Sequence, residues 1–199
     1  DWSSDVCSSD LAATGNAYKL ALTTPGVGGT SGVDFATQPI VKVEDIAGNV
    51  ITLDSSTQVA VTTSTDLCYL ANATATATNG IAQFSTFSMS GTAGTICLIS
   101  YGATELVSVT QQITLTPGPA RYVARVTRGS GATYGRAMTT QPVYRITDSG
   151  SNTRTSDNST VLTVTATGLT SSQILQTSAT AVNGIVTFDH LGFSNLDRK

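Results

Sequence analysis

Charge is scarce in this 199-residue chain: 12% of residues are Asp, Glu, Lys or Arg, about half the level of an ordinary globular protein. There is one histidine, His190, and there are only two glutamates, Glu44 and Glu105. Hydrolytic centres built on Ser-His-Asp or on paired carboxylates need such groups to converge, so that chemistry has little to draw on. No basic cluster with interleaved aromatics offers a face to nucleic acid. No apolar run reaches the roughly 20 residues of a membrane-crossing helix. Apolar residues at helical spacing are missing too, which leaves strand alternation as the periodic signal. Polar surface is supplied instead by Thr, Ser, Asn and Gln, and Thr and Val favour half-buried strands. The expectation is a secreted, all-β protein that needs no cofactor.

Two short terminal segments are set aside. Asp1 to Leu11 reads DWSSDVCSSDL, which back-translates into a string resembling a widely used short-read sequencing adapter. Asp197-Arg198-Lys199 fits the start of the complementary adapter read. Segments of this kind are excluded from fold reasoning, as cloning scars are. Without them the charge balance becomes eight basic against nine acidic residues, and Trp2 and Cys7 also drop out. Residues 1–11 are expected to stay out of any core.

What is present is a module that occurs twice. Phe35-Ala36-Thr37-Gln38-Pro39-Ile40-Val41 is answered by Met138-Thr139-Thr140-Gln141-Pro142-Val143-Tyr144, an offset of 103 residues. The match runs without gaps from Lys19/Tyr122 to Val61/Val164 and includes Asn49/Asn152 and Asp54/Asp157. Asn79-Gly80 then recurs as Asn183-Gly184, now offset by 104. The period suits one immunoglobulin-sized sandwich. Module 1 is assigned to residues 12–118, and module 2, an incomplete copy, to residues 119–196.

Alternation places strands in module 1 at residues 18–23, 40–45, 58–63, 74–78, 81–88, 95–101 and 111–116. The expected core is Val41, Val43, Val59, Val61, Ala82, Phe84, Ile96 and Leu98. Module 2 should bury Tyr144, Ile146, Leu162, Val164, Val186 and Phe188. Asn-Gly pairs mark two-residue hairpin turns, because a type I′ turn needs positive φ at both positions. Thr116-Pro117-Gly118-Pro119 reads as a stiff linker that holds the modules apart. Module 1 is expected to fold alone as residues 17–118, whereas module 2, lacking the last two strands, should be molten or prone to aggregate unless they are restored. Module 1 carries a net charge of −4 and module 2 of +3, which predicts a salt-sensitive attraction wherever the two faces meet.

The runs GVDFATQPIVKVEDIAGNVIT, NGIAQFSTFSMSGTAGT and ITLTPGPA resemble the bacterial immunoglobulin-like repeats of large surface proteins, the invasin and adhesin type. The resemblance covers about residues 19–196. It implies tandem immunoglobulin-like β-sandwiches, an extracellular or cell-surface location, and neighbouring repeats of the same chain as the main partners. Repeats of this type act as spacers; some bind glycans or host proteins directly. An accessory domain of a secreted hydrolase is a third reading. No enzymatic activity is expected.

Few individual residues stand out. Asp45, Asp54, Asp148 and Asp157 recur between modules. They can hold Ca²⁺ through oxygen ligands, or cap turns by accepting from nearby backbone; without a dense acidic loop, capping is the stronger reading. Cys68 and Cys97 are either bridged, as an oxidising setting favours, or two free thiols. With Ile96 and Leu98 facing inward, Cys97 would face outward and a bridge would be a surface staple. His190 beside Asp189 reads as a solvent-facing polar pair. Tyr69, Tyr101 and Tyr134 are candidates for an exposed binding patch.

Overall fold

The computed structural model describes residues 15–194. The two adapter-like segments, with Trp2 and Cys7, lie outside the described residues. Among the described residues the chain is all-β apart from one 3₁₀ turn, Ser171–Gln173. Among the described residues no helix is long and apolar enough to cross a membrane.

Module 1 has ten strands: β1 Lys19–Thr24, β2 Val33–Asp34, β3 Ile40–Glu44, β4 Gln58–Thr63, β5 Cys68–Ala71, β6 Thr74–Thr78, β7 Ile81–Gln83, β8 Ser88–Gly91, β9 Ile96–Gly102 and β10 Val109–Thr114. Seven of them are joined in the order β1-β3-β7-β6-β4-β9-β10, all pairs antiparallel. Strand β6 links two layers. Its first half pairs with β4 and its second half with β7. A small sheet, β2-β8-β5, caps one end. Asn79 and Gly80 turn β6 into β7 with φ of 52° and 76°, the left-handed pair a tight hairpin requires.

The first and last stretches of module 1 run side by side. Leu20 donates to the Val107 carbonyl at 2.9 Å, and Val107 donates to Tyr18 at 2.9 Å. Further along, Ser31 donates to Thr116 at 2.9 Å and Thr116 to Gly29 at 2.8 Å. Both contacts are parallel bridges.

The core between the layers is formed by Val41, Val43, Val59, Val61, Ala82 and Phe84 with Phe35, Phe87, Met89 and Leu115. Ile96 and Leu98, expected inside, are 62% and 40% exposed. Strand β9 carries apolar side chains on both faces, so alternation alone does not choose between them. The choice is made by its partners: Cys97, Ile99 and Tyr101 point inward, and Tyr101 meets the edge of Phe84 at 5.9 Å between ring centroids. Cys97 therefore faces the core.

Cys68 and Cys97 are joined in a disulfide with their Cα atoms 6.2 Å apart. Both are buried, at 3% and 0% exposure, so the bridge is an internal tie from β5 to β9. The expectation of a surface staple is wrong because it rests on the inverted face of β9. The run expected as one strand at 81–88 is two, β7 and β8, and the short strands β2 and β5 are additional to the expected set.

Module 2 repeats the plan with β11 Tyr122–Thr127, β12 Arg136–Ala137, β13 Val143–Thr147, β14 Val161–Thr163, β15 Ser178–Thr180, β16 Ile185–Thr187 and β17 Gly192–Phe193. Even the irregularity recurs: pairing slips between Leu22 and Thr24 in β1, and between Arg125 and Thr127 in β11. Its own core holds six buried residues, among them Ile146, Val186 and Phe188. Tyr144, Leu162 and Val164, expected to be buried, are only partly covered. In module 1 the counterparts of the last two, Val59 and Val61, are sealed because β4 pairs with β9. Among the described residues β14 pairs with β15 alone.

Candidate functional site at the module junction

The most elaborate polar arrangement in the described structure lies where the modules meet. It is built on the turn after β13, Asp148-Ser149-Gly150-Ser151-Asn152. The backbone folds on itself, with Asp148 donating to the Asn152 carbonyl at 3.1 Å and Ser151 donating to the Asp148 carbonyl at 3.2 Å. The fully buried Asp148 carboxylate fills the turn. Its Oδ1 accepts from the amides of Gly150 at 2.8 Å and Asn152 at 2.9 Å. Its Oδ2 accepts from the linker amide of Gly118 at 2.6 Å. Burial pushes this carboxyl up, but the bonds from Asn152, Gly118 and Gly150 outweigh it and hold it below the ordinary range.

Asn152 reaches across to module 1. Its Nδ2 donates to the Gly91 carbonyl at 2.8 Å and its Oδ1 accepts from the Ala93 amide at 2.7 Å. One side chain thus satisfies a carbonyl at the end of β8 and an amide of the loop that follows, two groups that would otherwise be left unpaired at a contact. Three glycines allow the backbones to approach. A side chain at Gly118 would run into the Ser31 carbonyl, one at Gly150 into the Gly91 carbonyl, and one at Gly32 into the Ser149 hydroxyl. Ser31 is fully buried and accepts from the Gly91 amide at 3.3 Å, which holds the receiving loop in shape.

One expectation is corrected here. The modules are in hydrogen-bonded contact rather than held apart, because the linker is short and Asp148 pulls Gly118 onto module 2. Neither of the two ion pairs among the described residues, Lys19–Glu44 and Asp189–His190, crosses this contact.

Module 1 carries the same turn. Asp45 accepts from the amide and side chain of Asn49 at 2.8 and 3.0 Å. The Gly15 amide donates to Asp45 Oδ2 at 2.9 Å, one repeat before Gly118 on Asp148. The bond from Gly15, followed by those from Asn49, lowers the Asp45 carboxyl to about 2. Asp54 and Asp157 cap the next turn in each module, accepting from Ser56 and Thr57 and from Ser159 and Thr160. All four recurrent aspartates thus hold turns. Among the described residues no three His, Cys, Asp or Glu side chains come together as metal ligands.

The remaining candidates lie apart from the junction. Glu44 sits 3.7 Å from Lys19. His190 and Asp189 form an exposed pair at 3.2 Å. Tyr69 and Tyr134 are exposed, on different modules, whereas Tyr101 is completely buried and bonds Gln111 at 3.1 Å. Tyr101 therefore belongs to no surface patch.

The pairs Asn49/Asn152 and Gln38/Gln141 recur in the sequence, but nothing local to them tells what they do. Gln38 donates to the Phe35 and Phe87 carbonyls and accepts from the Phe87 amide at 2.9 Å. Gln141 brackets Met138 and Leu191 in the same way. Recurrence at a fixed offset is the only sequence signal for these residues, because the bonds run between segments about 50 residues apart.

No family model matches the chain, and no curated protein matches it. Two solved structures of the bacterial surface-layer protein SbsC are similar to it. Domains 5–6 align at 15% identity over 92% of this chain and 86% of that one, with a TM-score of 0.35. Domains 4–9 align at 16% identity over 92% of this chain and 28% of that one, also with a TM-score of 0.35.

Proposed function

We propose that this chain is a structural spacer from a large extracellular bacterial surface protein of the adhesin type. Its immunoglobulin-like repeats would transmit position and load and perform no catalysis. The observation that carries the reading is the junction. An aspartate at the same place in each module captures the incoming linker amide, Gly15 on Asp45 and Gly118 on Asp148, and Asn152 fastens the turn to the preceding module. A module whose second copy grips the first through backbone-to-side-chain bonds is built to set an angle between repeats. Such bonds are directional and made at 2.6–2.8 Å, so salt screens them far less than attraction between charged faces.

Small-angle scattering of the full chain tests this. The expected result is one extended two-module profile, unchanged between low and high salt, that broadens in Asn152→Ala. A profile that requires freely pivoting modules in the unsubstituted chain would overturn the reading.

A further inference from the structure

From the uncovered state of the equivalent turn in module 1, we infer that Asp45–Asn49 is a docking surface for another copy of this module. The occupant is the loop that follows β8 in that copy, the Ser90–Gly94 segment of module 1. The inference rests on the spacer reading and adds a specific contact to it.

Three observations point to this occupant. Asn49 bonds Asp45 through its amide and its side chain as Asn152 bonds Asp148, although the Gly150 amide bond to Asp148 has only a weaker counterpart at Ala47. The chain enters on Gly15 as it enters module 2 on Gly118, so a preceding module would be delivered to the same side. The tip of the module 1 turn is apolar and open: Ile46 is 75% exposed and Ala47 and Gly48 are exposed. The counterpart of Ile46, Ser149, is partly covered and its hydroxyl lies where a side chain on Gly32 would be. Docking of a like module would therefore cover Ile46.

The seat differs in one respect. Ala47 stands where module 2 has Gly150, and a side chain at Gly150 would collide with the Gly91 carbonyl. The arriving loop must sit further out on module 1 than it does on module 2. Asn49 can still reach it, because its Oδ1 and one amide hydrogen are free of the turn bonds.

The test adds a copy of residues 15–117 ahead of Gly15 in the native part of the chain, so that Gly15 takes the place of Gly118, and follows a single reporter thiol, Ile46→Cys of the original module 1. Cys68 and Cys97 are bonded and silent. Alkylation of the reporter should slow at least about tenfold when the extra module is present, the factor that about 1.4 kcal/mol of docking gives. Asn49→Ala should restore the fast rate, and Ala47→Gly should slow it further. An unchanged rate on adding the module overturns the inference. A Ser149→Cys thiol in the original two-module chain separates the two proposals: slow alkylation there upholds the built junction whatever the thiol at position 46 does. If the thiol at position 149 reacts as fast as the one at position 46 in the same two-module chain, the junction is not held, and the spacer reading falls along with the docking surface.

Discussion

Ser151 is the residue at which the two modules differ most tellingly. It occupies φ of 63°, in the left-handed region, where module 1 places Gly48 at 92°. A side chain in that region meets the neighbouring carbonyl, a strain of roughly 1–2 kcal/mol that glycine escapes, partly offset by the entropy glycine loses on folding. Ser151→Gly should therefore stabilise module 2 by about 0.5–1 kcal/mol, seen as a higher urea midpoint with unchanged slope. A lower midpoint would mean that the serine side chain contributes something the geometry does not reveal. At this scale the sequence is informative about type and silent about partner. Asp45 and Asp148 are readable as turn caps because the cap is local. The role of Asn152 is not, since its partners Gly91 and Ala93 lie about 60 residues away.

At the scale of single elements, the turn Asp45–Asn49 is an acid-sensitive device. Its carboxyl is depressed from 3.8 to about 2 by the Gly15 amide and by Asn49. A group depressed on folding adds stability that is present above the ordinary value and is lost as the pH falls through the folded one. The capture of Gly15 should thus persist at pH 4 and fail on approach to about pH 2. The Gly15 amide resonance is the direct monitor: its titration midpoint should lie near 2 and vanish in Asp45→Asn. A midpoint at the ordinary 3.8 would show that the bond does not hold. Elements also mark where sequence reading is strong. Strands β4 and β6 match their expected bounds to the residue, because the apolar side chains that each packs into the core, Val59 and Val61 in β4 and Ala75 and Ala77 in β6, recur at every second position. Strand β9 is placed but inverted, because Ile96 and Leu98 compete with Cys97, Ile99 and Tyr101 for the inside and only the packing decides.

For the whole chain, the two modules share a plan and differ in closure. Module 1 seals its core with β9 and β10, whereas Leu162 and Val164 of module 2 remain partly open. Each side chain left partly in water forfeits a share of the roughly 1.5–3 kcal/mol that full burial supplies. Hydrogen exchange on the full chain should register this. The Val43 amide, bonded to Gly80, and its counterpart Ile146, bonded to Gly184, sit in equivalent positions on β3 and β13. Ile146 should exchange at least about 100-fold faster, a difference of about 2.8 kcal/mol. Equal protection would mean that the grip of module 1 on the Asp148–Asn152 turn makes up the deficit.

The side-by-side course of the first and last segments of module 1 bears on how such a chain would respond to being pulled. The entering segment, through Tyr18, Leu20, Gly29 and Ser31, is bonded to the leaving segment at Val107 and Thr116 in parallel sense. Tension applied to the two ends draws these segments past one another along their length. The four bonds are then loaded together in shear, and none can be peeled open ahead of the others. Behind them, the Cys68–Cys97 bridge removes the enclosed loop from the length the module can yield if that clamp gives way. Module 1 is shaped as a link that resists stretching first and afterwards gives up less of its length than an unbridged module would.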